Sequence, residues 1–202
     1  MILHLSMQNI FRRKKLLIVA GPTACGKTTF RNSVKTNPQP GLTKLVLEKA
    51  FSRNFSHIKT LRMKGLRRQF WQRRGFRELT QDYFNFVLEL DTTCPLTAEN
   101  LLLLPALLSN FDRILVVHLY APIEVWSERI RERRLDGFKT SKCVDQIFKA
   151  YHSTTPRKSK AQNIYFDLFS GFEYYFNGLG VKEQMCINAI ESVVLARPYP
   201  FD

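Results

Sequence analysis

The stretch that most limits how this chain can fold is the apolar run Leu16-Leu17-Ile18-Val19-Ala20, followed at once by Gly21-Pro22-Thr23-Ala24-Cys25-Gly26-Lys27-Thr28. Five uninterrupted apolar residues stopped by Gly-Pro read as a strand buried on both faces. The next eight fit G-x-x-x-x-G-K-[ST], the phosphate-binding loop. Its glycines let the backbone fold into a nest whose N–H groups converge on an anion. In that pattern Lys27 reaches the β- and γ-phosphates and the Thr28 hydroxyl joins a Mg²⁺ shell. Residues 29–35 are expected to form a helix whose N-terminal dipole favours the same phosphates. At ordinary residue frequencies the bare pattern arises by chance in roughly one chain in a hundred of this size. The strand in front of it lowers those odds, so a surface turn with two coincidental glycines is the weaker reading. Gly21, Thr23, Ala24, Cys25, Gly26, Lys27, Thr28 and Thr29 are therefore the expected binding residues for ATP, or another nucleoside triphosphate, with Mg²⁺.

On these residues the chain resembles the P-loop nucleoside-triphosphatase superfamily, and within it the small kinases of the adenylate-, nucleoside- and shikimate-kinase type. The loop is the specific match; the rest is a likeness of overall order. The resemblance implies an α/β fold, a three-layer sandwich with a mostly parallel central sheet and a small helical lid near 129–160, in a single domain over 1–202. It implies phosphoryl transfer from Mg-ATP to a small-molecule or polynucleotide acceptor. The wording Gly-Pro-Thr-x-x-Gly-Lys-Thr also resembles the tRNA prenyltransferases, but the Asp-Ser-x-Gln stretch of that family is missing and the chain is short for it. An ATP-driven regulatory module is a further alternative. A GTPase switch is disfavoured, because no Asn-Lys-x-Asp base-reading signature occurs.

A net charge of +14 implies an anionic partner: nucleotide, phosphorylated metabolite, nucleic acid or acidic membrane surface. No apolar run reaches transmembrane length. Residues 1–10 are apolar but precede the charges Arg12-Arg13-Lys14-Lys15, the reverse of a signal peptide, so a ragged N-terminus is expected. The four cysteines, Cys25, Cys94, Cys143 and Cys186, lack the spacing of a zinc or redox motif, which suits a reduced, cytoplasmic protein. Cys25 has two readings, an acidified thiol within the loop or a residue filling a variable position.

Along the chain, Asn37–Gly41 is a break, and Leu42–Phe51 suits a strand or a helix. Between Arg53 and Arg77 lie nine basic residues, no acid, and Phe55, Phe70, Trp71 and Phe76. This segment reads as a solvated helical face, a clamp on an anionic acceptor, or a nucleic-acid surface. Tyr83–Asp91 is a core strand ending in an acid, as in a Walker B strand. Asp91 is the candidate metal ligand beside Thr28, or else the base toward an acceptor hydroxyl, with Glu89 on the same strand face as fallback. A leucine-rich helix over 98–110, N-capped by Thr97, precedes an apolar strand at 114–119, in which His118 is expected as a hydrogen-bonded core residue.

Pro122 suits the first position of the next helix, on which Ile123, Trp126 and Ile130 form an apolar stripe and Gly137 a C-cap. By resemblance to the lid-leading helix of small kinases, Arg129, Arg133 and Arg134 are expected to stabilise charge on the transferring phosphoryl group. Glu124, Glu128 and Glu132 also allow a merely charged, exposed helix. Residues 142–151 read as helix, 153–160 as a basic loop able to close over a nucleotide, 163–177 as aromatic core, and 192–196 as a last strand.

Overall fold

The computed structural model describes residues 13–35, 42–52, 58–62, 83–93, 98–153, 155–188 and 194–195. Its sheet has the order β2-β3-β1-β4-β5-β6. Strand β1 (Lys15–Gly21) lies between β3 (Asn85–Asp91) and β4 (Arg113–Tyr120), parallel to both. Strands β2 (Ile58–Arg62) and β5 (Glu183–Asn188) extend the parallel array outward, and β6 (Val194–Leu195) runs antiparallel beside β5. The apolar runs at 16–20 and 114–119 are strands because both of their faces are covered.

Alternate residues separate the two faces. Leu17 and Val19 of β1, Val87 of β3, and Leu115, Val117 and Leu119 of β4 pack under Val46, Leu47, Ala50 and Phe51 of helix α2 (Leu42–Phe51). Leu16, Ile18, Phe86, Leu88, Leu90 and Val116 face Leu103, Leu104, Leu107 and Leu108 of helix α3 (Ala98–Leu108), together with Phe176. A third cluster joins helix α4 (Ile123–Leu135), helix α5 (Lys142–Tyr151) and the first half of helix α6 (Thr155–Gly178) through Trp126, Ile130, Val144, Ile147 and Tyr165. Helix α1 (Lys27–Lys35) follows the loop. A central β1 flanked by β3 and β4, helices on both faces and a glycine loop after β1 make this a P-loop kinase-like α/β fold.

The ambiguous stretch at 42–51 is a helix, since Val46, Leu47, Ala50 and Phe51 are buried while Lys44, Glu48 and Lys49 are exposed. The basic loop expected at 153–160 is instead helical from Thr155 onward, as the start of α6, with Ser153 in a bend. Pro156 sits in the first turn of α6, where its missing N–H costs no helical bond. Pro122 is the N-cap of α4 rather than its first residue, with ψ 140° and its carbonyl accepting from Trp126 N. Gly137 (φ 79°) closes α4 as expected: its N–H donates to Arg134 O and that of Phe138 to Arg133 O. Within the basic segment, 58–62 is a strand rather than a helical face, with Lys59 Nζ 4.5 Å above the Tyr83 ring. Residues 53–57 and 63–77, with Phe55, Phe70, Trp71 and Phe76, lie outside the described residues, as do residues 1–10, Asn37–Gly41, Cys94 and Thr97. His118 is a bonded core histidine, buried, with Nε2 2.7 Å from Gln184 Oε1. No helix among the described residues is long and apolar enough to cross a membrane.

Candidate active site

In an open parallel sheet, ligands sit beyond the carboxyl ends of the strands where the strand order reverses. Here that point is the end of β1, because the chain reaches β3 on one side and β4 on the other. Pairing sets Glu89 opposite Val19 and Asp91 opposite Gly21. Both acids therefore share the face of β1 that leads into α1. The loop leaves the strand tightly. A Cβ on Gly21 would stand 2.6 Å from both Cys25 Sγ and the Leu119 carbonyl oxygen, so only glycine fits. Ala24 (φ 67°) and Gly26 (φ 103°) supply the left-handed residues that a nest needs.

A cavity of about 460 Å³ opens there. Thr23, Ala24, Gly26, Lys27, Thr28 and Thr29 line it from the loop, Glu89 and Asp91 from β3, Arg31 from α1 and Arg133 from α4. Lys27 is nearly buried; its Nζ donates to Gly21 O (2.8 Å) and Pro22 O (2.7 Å) and lies 3.6 Å from Asp91 Oδ2. Asp91 has both oxygens engaged. Oδ2 accepts from Thr23 Oγ1 at 2.5 Å, and Oδ1 from Thr93 N at 3.0 Å and Thr93 Oγ1 at 2.7 Å. Burial by itself would raise the Asp91 pKa. The Lys27 ammonium and the bonds from Thr23 and Thr93 together outweigh it and hold the carboxyl below its usual range.

Thr28 lies against the fallback acid: its hydroxyl donates to Glu89 Oε1 at 2.9 Å, while Arg31 Nη1 holds Glu89 Oε2 at 2.7 Å. Thr28 and Asp91, paired in the sequence reading as metal ligands, both line the cavity, the first bonded to Glu89 and the second to Thr23 and Thr93. Arg31 is itself buried, and its Nε has no hydrogen-bond partner among the described residues, leaving a cationic donor unsatisfied by them at the cavity wall. Such a cradle of loop backbone, ammonium, guanidinium and unsatisfied donor fits a polyphosphate. The hard oxygens of Thr28, Glu89 and Asp91 fit Mg²⁺, which takes one or two protein oxygens and leaves the rest to phosphates and water. Among the described residues no group of three or more His, Cys, Asp or Glu could hold a metal ion.

The three arginines of α4 part company. Arg133 reaches the cavity. Arg129 Nη1 lies 3.5 Å from the Ala24 carbonyl, on the loop backbone. Arg134 turns away to Asp145 and Thr140 and stacks 4.0 Å over Phe148, tying α4 to α5. Cys25 is fully buried, and burial raises its thiol pKa against the opposing pull of Lys27, so the acidified-thiol reading gives way to simple filling of the loop. Sequence reasoning missed Arg31, Thr93 and the loop contact of Trp126. A basic residue one turn after Lys27 was the available signal for Arg31; Thr93 reads only as a turn residue.

No family model and no curated protein matches the chain. Among solved structures it is similar to the shikimate kinase from Acinetobacter baumannii in complex with shikimate, at 14% identity and TM-score 0.40 over 87% of this chain and 84% of that one. It is similar to the shikimate kinase from Bacteroides thetaiotaomicron at 14% identity and TM-score 0.34, over 87% and 86%. A third similar structure is that of APE1195, at 13% identity and TM-score 0.39, over 63% and 74%. Likeness this distant assigns no substrate.

Proposed function

We propose that this chain is a phosphotransferase that moves the γ-phosphoryl group of Mg-ATP to a small anionic acceptor. One observation carries the reading: the phosphate loop, Lys27, Thr28, two carboxylates and Arg133 meet in one cavity at the carboxyl ends of the strands. Transfer of this kind needs positioning and charge neutralisation more than covalent chemistry. Lys27 serves the β- and γ-phosphates, and Arg133 the charge that develops on the transferring group. Thr28, whose proton is directed to Glu89, keeps its lone pairs for Mg²⁺. Bound Mg²⁺ would neutralise charge on the phosphate oxygens.

The acceptor hydroxyl gives its proton to Asp91, its oxygen bonds to the γ-phosphorus, and the bond to the bridging oxygen breaks to leave ADP. A carboxylate held below its usual range is a weak base. A loose transition state asks little more of it, because the proton need leave only late. Residues 129–160 act in this reading as a cover over the site.

The test is acceptor-stimulated ADP release across nucleosides, sugars, phosphorylated metabolites and 5′-hydroxyl oligonucleotides. A kinase shows turnover that one acceptor class raises at least about ten-fold, and Lys27→Ala removes at least about 100-fold of it, as loss of a preorganised charge does elsewhere. Slow turnover that no acceptor accelerates identifies an ATPase module instead. Unchanged turnover in Lys27→Ala sinks both.

A further inference from the structure

Trp126 belongs to the apolar stripe of α4 and is fully buried, yet its indole N–H leaves the core to donate to the Thr23 carbonyl, 2.9 Å away. Every polar group of Thr23 is then taken. Its N–H donates to Thr93 Oγ1 at 3.1 Å, its hydroxyl to Asp91, and its carbonyl accepts from Trp126. In a trans peptide the C=O and the following N–H point in opposite directions. Fixing the Thr23 carbonyl therefore fixes the Ala24 N–H, directed away from Trp126. That N–H takes no partner from the described residues, and Ala24, in the left-handed region at φ 67°, lines the cavity. The Ala24 side chain packs in the same cluster as Trp126, so the loop is gripped from outside by its carbonyl and by its methyl.

We propose that Trp126 is a positioning residue for the phosphate cradle: its N–H orients the Ala24 amide toward a phosphate oxyanion. The ligand class it serves is the polyphosphate tail, not the base or sugar. A nest binds anions through those N–H groups that its peptides turn inward. Each inward N–H leaves a carbonyl facing outward that needs its own donor. Trp126 supplies that donor to the Thr23 carbonyl, whose peptide carries the Ala24 N–H, whereas the Cys25 N–H is held by Pro22 O. An aromatic core residue without N–H would fill the same space and leave one carbonyl orphaned, free to turn its peptide over.

This inference rests on the nucleotide reading above, and the experiment separates the two. Trp126→Phe keeps a ring in the core and removes the donor. The full chain and the variant are titrated calorimetrically with ATP and, separately, with inorganic tripolyphosphate, alongside thermal melting. The expected result is a loss of about ten-fold in affinity for both ligands by the same factor, the scale of one orphaned buried acceptor. Equal affinities in wild type and variant overturn the assignment, as does a loss confined to ATP. Should Trp126→Phe unfold, 3-benzothienylalanine at position 126, which replaces the indole N–H by sulfur at nearly unchanged shape, makes the same comparison. A wild type that binds neither ligand overturns the nucleotide reading itself, whereas binding by both proteins with equal strength overturns only the role of Trp126.

Discussion

Asp91 shows how one side chain can be read correctly for position and incompletely for duty. Its place at the end of a core strand follows from the alternation of Val87, Glu89 and Asp91 on one face. Its bonds do not, because Thr23 and Thr93 come from loops whose approach no local pattern encodes. The pKa shift gives a test. A carboxyl whose folded pKa is depressed adds stability that is complete above its unfolded value, about pH 4, and is lost as pH falls through the lower folded value. Glu183, held down by its hydrogen bonds from Arg113, titrates in the same sense, so the difference between two proteins is the useful quantity. Melting temperature should therefore fall more steeply between about pH 5 and pH 2 in wild type than in Asp91→Asn. Parallel curves would mean that the Lys27, Thr23 and Thr93 contacts do not favour the ionised form.

At the scale of elements, helices were legible where burial follows a 3.6-residue period and illegible where polar residues open them. Ile123, Trp126 and Ile130 announced α4, and Gly137 its end. The start of α6 was hidden because Ser153-Thr154-Thr155-Pro156 has loop composition, although proline is suited to a first turn. Strand β5 was hidden as well, since Glu183 and Gln184 open it and only Met185, Cys186 and Ile187 carry an apolar signal. Helical spacing explains the divided fate of the α4 arginines. Arg133 and Arg134 are about 100° apart around the axis, so one can line the cavity while its neighbour faces α5. Arg133→Ala should reduce turnover by about ten-fold or more with the melting temperature nearly unchanged. Arg134→Ala should do the reverse, costing about 1 kcal/mol, roughly 2–4 °C for a chain of this length, with turnover within about two-fold. Steady-state kinetics and calorimetry on both variants check this, and equal turnover losses would return Arg134 to the catalytic group.

For the molecule as a whole, the apolar runs at 16–20 and 114–119 with a helical stretch before the second anticipated a parallel sheet, because strands apolar along their whole length, joined through helices, need cover on both faces. The same information left the acceptor open. Its chemistry depends on residues that the fold brings together from distant segments, and Arg31, Glu89 and Arg133 span three elements. Net charge acts at this scale too. A surplus of +14 gives the chain a field that attracts any polyphosphate, whereas Lys27 and the loop amides act at contact distance. Salt separates the two, because the Debye length shrinks from about 10 Å at 0.1 M to about 3 Å at 1 M while direct contacts remain shorter than either. The association rate constant of ATP should drop about ten-fold or more between 0.05 and 0.5 M salt, and the dissociation rate constant should change by no more than about two-fold. Stopped-flow measurement of both constants decides the point: a salt effect carried mainly by dissociation would place the charge that matters inside the cavity rather than across the surface around it.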